Sequence, residues 1–150
     1  LAPITFEAGS LPGLENSLSV SPQHRMLISG PQAELLFGEP EVLVAAKHLV
    51  GMPGVSWEPT TMVTYYHLML DQHQIVFAEG AETESFYASE VGLGTISTHC
   101  KARLFEAFPH LAEDIAAYGE TARPCLKAHE AKLLARAGGH EINEVTAAAA

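Results

Sequence analysis

Leu18-Ser-Val-Ser21-Pro-Gln-His24-Arg-Met-Leu-Ile28 is the stretch that decides the fold. Two apolar runs flank the tetrapeptide Ser21-Pro22-Gln23-His24, a pattern that predicts a β-strand, a sharp turn and a second strand. Proline biases the residue before it toward extended backbone, and the Ser21 hydroxyl can bond the turn it opens. A hydroxyl and an imidazole three positions apart are thus held on a rigid corner. Such a corner can aim a proton donor at a peptide bond. It can equally be plain structure, with Ser21 stabilising the turn and His24 lying on the surface, and the local pattern admits both readings.

Outward from this corner the chain alternates short apolar runs with turn signals. Ile4-Thr5-Phe6 is a short extended piece, followed by a turn-rich connection through Gly9, Pro12, Gly13 and Asn16. Ser29-Gly30-Pro31 ends the second strand. Leu35-Leu36-Phe37 and Val42-Leu43-Val44 read as short apolar runs separated by Gly38-Glu39-Pro40. Residues 45–49 suit one helical turn, stopped by Gly51-Met52-Pro53-Gly54. The β-formers of Val63-Thr-Tyr-Tyr-His67-Leu-Met-Leu70 predict a further strand. Asp71-Gln72-His73 turns the chain, and Gln74-Ile-Val-Phe-Ala78 returns it to a break at Gly80.

From Thr98 the spacing becomes helical, with Leu104, Phe105, Phe108, Leu111 and Ile115 recurring on one stripe. Pro109 suits the first turn of a new helix, and Gly119 a stop. Pro124 opens another helix, with Leu126, Leu133, Leu134 and Ala137 on one side and Gly138-Gly139 at its end. The expected fold is therefore mainly β with about three short C-terminal helices. Its expected parts are a β-rich body over 1–97, a helical extension packed on it over 98–140, and a tail over 141–150 that frays at Ala147–Ala150.

Composition narrows the function. A chain of 150 residues with 47% hydrophobic and 17% charged residues can bury one core and is not of the disordered class. No apolar run is long enough to span a bilayer. The formal charge of −10 repels phosphate backbones and no basic patch offsets it, so nucleic acid is not an expected partner. The sequence starts at Leu1 without a signal segment, which is expected of a fragment, a processed product or a trimmed chain. Eight histidines stand against eight lysines plus arginines, so acidification through about pH 6.5 changes the net charge substantially.

Several side-chain sets could carry chemistry. His99, Cys100, Cys125 and His129 form a zinc-type donor set, although the adjacent His99 and Cys100 cannot easily face one ion. The plainer reading is two buried thiols, or a disulfide between Cys100 and Cys125. His24, His67 and His73 could line one β surface as a second metal set, or simply be hydrogen-bonded. Glu82, Glu84 and Glu90 make an acidic cluster near Ser85, of the kind that is usually a solvated face or, less often, a surface calcium site. Gly92-Leu93-Gly94 has no strand-then-helix setting and no lysine, so it is no phosphate loop. Ser85 lacks the glycine elbow of a serine hydrolase.

Four segments together resemble the Hint fold of hedgehog autoprocessing domains and inteins, and more closely the bacterial Hint-type family with a Ser-Pro-Gln-His-Arg motif. Ser21-Pro22-Gln23-His24 stands where that superfamily has Thr-x-x-His. Ala46-Lys47-His48-Leu49-Val50-Gly51 resembles the family's Ala-x-x-Leu-x-x-Gly segment. Tyr66-His67-Leu68 through His73 and Gly80 is similar to the penultimate intein strand pair. Thr121-Ala122-Arg123-Pro124 with His129-Glu130-Ala131 resembles the C-terminal signature of the bacterial family.

The resemblance implies self-cleavage, in which an upstream Cys or Ser attacks the carbonyl before it and turns a peptide bond into a thioester or ester. By the same resemblance His24 serves the scissile amide nitrogen and Ser21 orients the peptide. His73 matches a later-strand histidine that acts as a secondary acid or base, and His67 stands where the superfamily has an aspartate. The implied partner is the N-terminal part of the same polypeptide, no cofactor is implied, and family members often end secreted bacterial proteins. This sequence departs from active members in one respect that matters: none of the 20 residues before Ser21 is Cys, and Ser10 and Ser17 lie in a connecting loop. No His-Asn pair follows, so C-terminal cleavage is not expected. The chain is expected to be an inert C-terminal part of an autoprocessing module, or else a Hint-like binding module that has lost the chemistry.

Overall fold

The corner carries the chain from one β-sheet into another. The computed structural model describes residues 2–60 and 62–139, and these fall into two compact units. The first comprises Leu1–Tyr66, Ile75–Glu84 and Arg123–Ala150; the second comprises His67–Gln74 and Ser85–Ala122.

In the first unit, β1 (Ile4–Phe6) pairs antiparallel with β2 (Leu18–Val20), setting Ile4 opposite Val20. On its other side β1 pairs with β5 (Val55–Trp57), so this sheet runs β2-β1-β5. Ile4 and Phe6 are fully buried, whereas Thr5 between them faces outward, the two-residue alternation of a half-buried strand. The outward face is polar: the Thr5 and Ser19 hydroxyls donate to the Glu58 carboxylate at 2.6 and 2.9 Å. Those bonds hold the Glu58 carboxyl below its ordinary pKa.

The second sheet runs β4-β3-β7-β6, from β3 (Arg25–Ser29), β4 (Glu41–Ala45), β6 (Ile75–Ala78) and β7 (Ala81–Glu84). Val42, Leu43 and Val44 are all fully buried, as a continuous apolar run requires when both faces of a strand are covered. The outer edge of β4 is covered as well, because Leu43 N–H donates to the Pro124 carbonyl and Leu126 N–H to the Leu43 carbonyl. One core, including Ile4, Phe6, Met26, Val42, Val44 and Leu134, is shared by both sheets and α5 (Ala128–Ala137).

Two expectations fail here. Leu35-Leu36-Phe37 is not a strand-like run but the end of α1 (Pro31–Phe37). Pro31 stands in its first turn, and Gly38 ends it in the left-handed region with its N–H on the Glu34 carbonyl; proline at the start and glycine past the end frame a helix. Val63–Leu70 forms no strand, since no described residue pairs with it in a ladder. Strand propensity is realised only against a neighbour. The two antiparallel sheets supply the expected β part, but 31% of the described residues are helical against 20% in strands, so the fold carries more helix than a mainly β description allows.

The second unit is helical. It contains α2 (Glu90–Leu93), α3 (Thr98–Ala107), α4 (Pro109–Glu113) and a 3-10 turn at Ile115–Tyr118. Ser89, Ser97 and Asp114 cap these elements by accepting backbone N–H bonds. Leu93, Leu104, Leu111 and Tyr118 are its core. With α5 there are three α-helices from Thr98 onward among the described residues, but α5 starts at Ala128, so Pro124 and Leu126 precede it, and α1, α2 and the 3-10 turn at Ile115–Tyr118 go beyond the expected helices. The helical turn expected over 45–49 is a 3-10 turn at Ala46–His48. Residues 141–150, the expected tail, lie outside the described residues. Among the described residues no helix is long and apolar enough to cross a membrane.

Residues Glu79-Gly80 join β6 to β7 with positive φ values of 49° and 86°, the two-residue turn whose twist suits a hairpin. Glu15 N–H donates to the Glu79 carbonyl at 2.9 Å, and a Cβ on Gly80 would strike the Gly13 carbonyl oxygen. Gly9 has φ 80° but open space around it. Gly9→Ala should therefore cost only the left-handed strain of about 1–2 kcal/mol, and Gly80→Ala about 1–3 kcal/mol more through the clash; urea unfolding of the two variants measures the difference. His48 tests the same unit by pH. Burial, then Lys47 and Lys132, lower its pKa from 6.5, so the unfolded chain takes up a proton first. Stability present above pH 6.5 should fall as pH drops toward the lowered value, and His48→Gln should flatten that slope in unfolding midpoints.

Candidate functional site

The backbone of the corner is tied at three carbonyls. His24 N–H donates to the Ser21 carbonyl at 3.0 Å, closing the turn. Lys47 N–H donates to the Pro22 carbonyl at 3.0 Å, and Ala46 N–H to the His24 carbonyl at 2.8 Å. The last two donors belong to the 3-10 turn Ala46–His48 that follows β4. Pro22 is buried, while Ser21 and His24 are half-buried. The ring is therefore neither sealed in the core nor fully in solvent.

Side chains from β7 hold the two residues after the turn. His24 Nε2 lies 2.5 Å from Thr83 Oγ1, and the Thr83 hydroxyl donates to the Arg25 carbonyl at 2.9 Å. Thr83 is 2% exposed, so little water competes for these bonds. One position on, the Glu84 carboxylate accepts from Arg25 N–H at 2.9 Å and from its guanidinium at 3.0 Å. The Glu84 side chain is 8% exposed and that of Arg25 31%, so one buried charge is satisfied by two donors. Glu84 accordingly does not belong to a solvated acidic face with Glu82 and Glu90.

His73 and His67 belong to the second unit. His73 is buried, and its Nδ1 accepts from Ala122 N–H at 2.8 Å. Its ring meets Tyr87 edge-on at a centroid distance of 5.1 Å. It stands in the turn before β6 rather than on a strand. The exposed His67 packs edge-on against Phe86 at 4.9 Å, and partial desolvation lowers its pKa. Ser85 is buried with its hydroxyl accepting from Gln74 N–H at 3.0 Å, which fits a structural serine.

Neither metal set is assembled: among the described residues no group of three or more His, Cys, Asp or Glu side chains could hold an ion. Cys100 and Cys125 are free thiols, so of the two plain readings left open the unbonded one stands, with Cys100 exposed and Cys125 half-buried rather than both buried. Ser10 Oγ is buried without a hydrogen-bond partner among the described residues, hardly the setting of an activated nucleophile.

Residues 1–90 match the family model of the Hint domain. The chain belongs to the Hint domain family. No curated protein and no solved structure matches it. The Hint match takes in the Ser21–His24 corner as well as Thr83 and Glu84, the two residues that sequence reasoning overlooked as partners of 24 and 25. Their only local signal was a polar Thr-Glu pair closing a strand. Removing the Glu84 charge should be costly because Arg25 is left beside a buried gap: Glu84→Ala is expected to lose about 3 kcal/mol, measured by chemical denaturation, with Glu82→Ala on the exposed side of β7 near neutral.

Proposed function

We propose that this chain carries the histidine-bearing part of an autoprocessing Hint module, the C-terminal portion of a larger bacterial protein. In the reaction a Cys thiol or Ser hydroxyl attacks the carbonyl of the residue before it, and the peptide becomes a thioester or ester. Amide nitrogen is a poor leaving group, so it must gain a proton as the carbon–nitrogen bond breaks. His24 is the donor in this reading, and Ser21 orients the scissile peptide. The observation that carries it is the half-buried imidazole fixed on a corner tied at three carbonyls, inside the Hint-matched residues. His73 is a weaker candidate, since its Nδ1 already accepts a backbone N–H. The nucleophile is supplied from upstream sequence, and the 150-residue chain alone is inert.

One observation favours a second reading, a non-catalytic module: the His24 ring has a bond to a buried hydroxyl, which a purely structural histidine also makes. Expression of the longer gene product separates the two. The autoprocessing reading expects thiol-induced cleavage at an upstream Cys or Ser, slowed about 100-fold or more by His24→Ala. Cleavage at an unchanged rate in that variant removes His24 from the mechanism, and an intact product with its upstream Cys or Ser present favours the second reading.

A further inference from the structure

We propose that the outer edge of β6 is a docking site for an extended basic segment of another protein, which joins the sheet as a further strand and lays a lysine or arginine across Phe77. In the order β4-β3-β7-β6 the last strand has β7 on one side and, among the described residues, no ladder partner on the other. The hairpin fixes which main-chain groups face that open side. Ala78 stands opposite Ala81 across the two-residue turn, and Val76 opposite Thr83. Ser85 N–H donates to the Gln74 carbonyl at 2.8 Å, so positions 74, 76 and 78 are the ones that bond toward β7. Bonded and non-bonded pairs alternate along an antiparallel ladder. The N–H and carbonyl groups of Ile75 and Phe77 therefore point away from β7, as strand addition requires.

Open edges are commonly blunted by a charged residue, a proline or a bulge. Ile75-Val76-Phe77-Ala78 carries none of these, and its register with β7 is unbroken. It exposes an aromatic ring instead, with Phe77 at 74%.

The neighbours of that ring define the occupant. Phe77 stands opposite the exposed Glu82 as a non-bonded pair, so the two side chains share one face of the sheet and lie close together. On an added strand, the residue opposite Phe77 would stand about 5 Å from it and about 10 Å from Glu82. An arginine or lysine covers that span by lying over the ring with its charge toward the carboxylate. Two positions along, opposite Ile75 on the same face, an apolar residue fits. A second copy of this chain suits the edge poorly. Its net charge is −10 and no lysine or arginine occurs between Lys47 and Lys101, so a second β6 would bring carboxylates against Glu82 and no cation.

Amide NMR of the isotope-labelled 150-residue chain, titrated with the capped peptide Thr-Thr-Arg-Thr-Val-Thr-Thr, tests the assignment. The Ile75 and Phe77 amides should shift and become protected from hydrogen exchange. A peptide N-methylated at Arg and Val should bind at least about 10-fold more weakly, because it loses two main-chain bonds. A peptide with Glu in place of Arg should also bind several-fold more weakly, and Glu82→Gln should reduce the preference for Arg over Glu by about 3-fold. These comparisons between peptides need no variant to fold. No change at the two amides with millimolar peptide overturns the proposal, as does equal binding of the Arg and Glu peptides. Protection of the same amides without peptide overturns it as well, assigning the edge to a second copy if it grows with the concentration of the 150-residue chain, or to the chain's own upstream part if it appears only in the longer gene product. Cleavage of that product is a separate readout, so this test and that of the autoprocessing reading fail independently.

Discussion

Two side chains at the end of one strand, Thr83 and Glu84, determine how the corner presents its chemistry. They reach across 59 positions of sequence to residues 24 and 25. The ladder between β3 and β7 has one register pair, against five between β3 and β4. Backbone pairing alone would anchor these strands weakly, and a buried carboxylate with two donors supplies what the short ladder lacks. The same pairing sets the angle of the His24 ring. Stability and site geometry therefore share one set of bonds, and a change that loosens β7 disturbs both.

Local features of this design are legible in the sequence, and distant ones are not. The strand–turn–strand at 18–28, the hairpin break at Gly80 and the helices after Thr98 all announce themselves through proline, glycine and spacing. Pro31 and Gly38 frame α1 as well, but the apolar run Leu35–Phe37 taken by itself reads as an extended piece. Residues 63–70 misled for the opposite reason, since their β-formers are real and a ladder needs a partner. The partners of His24 and Arg25 were hidden because nothing at 83–84 differs from an ordinary strand end. Only the fold brings them together.

The histidines show why residue type alone assigns no role. His73 is the more buried, yet its Nδ1 is already spent on the Ala122 amide. That bond makes it a fastener for the 122 end of its own unit. His24 uses Nε2 as its anchor instead, and the anchor is a side chain rather than the main chain. The two rings are thus tied into different parts of the fold, although both read as candidate acids or bases in the sequence.

Rigidity at the corner has a chemical rationale. A proton reaches a departing nitrogen only if the donor is already in place, because a ring that must search for its geometry loses much of the gain from proximity. Here the carbonyls of Ser21, Pro22 and His24 each accept a backbone bond, two of them from the turn at 46–48. The main chain on both sides of the imidazole is fixed before any substrate arrives. Ser21, itself half-buried, supplies the first of those carbonyls. The corner is thus stiffened within its own unit by one bond that closes the turn and two from the residues that follow β4.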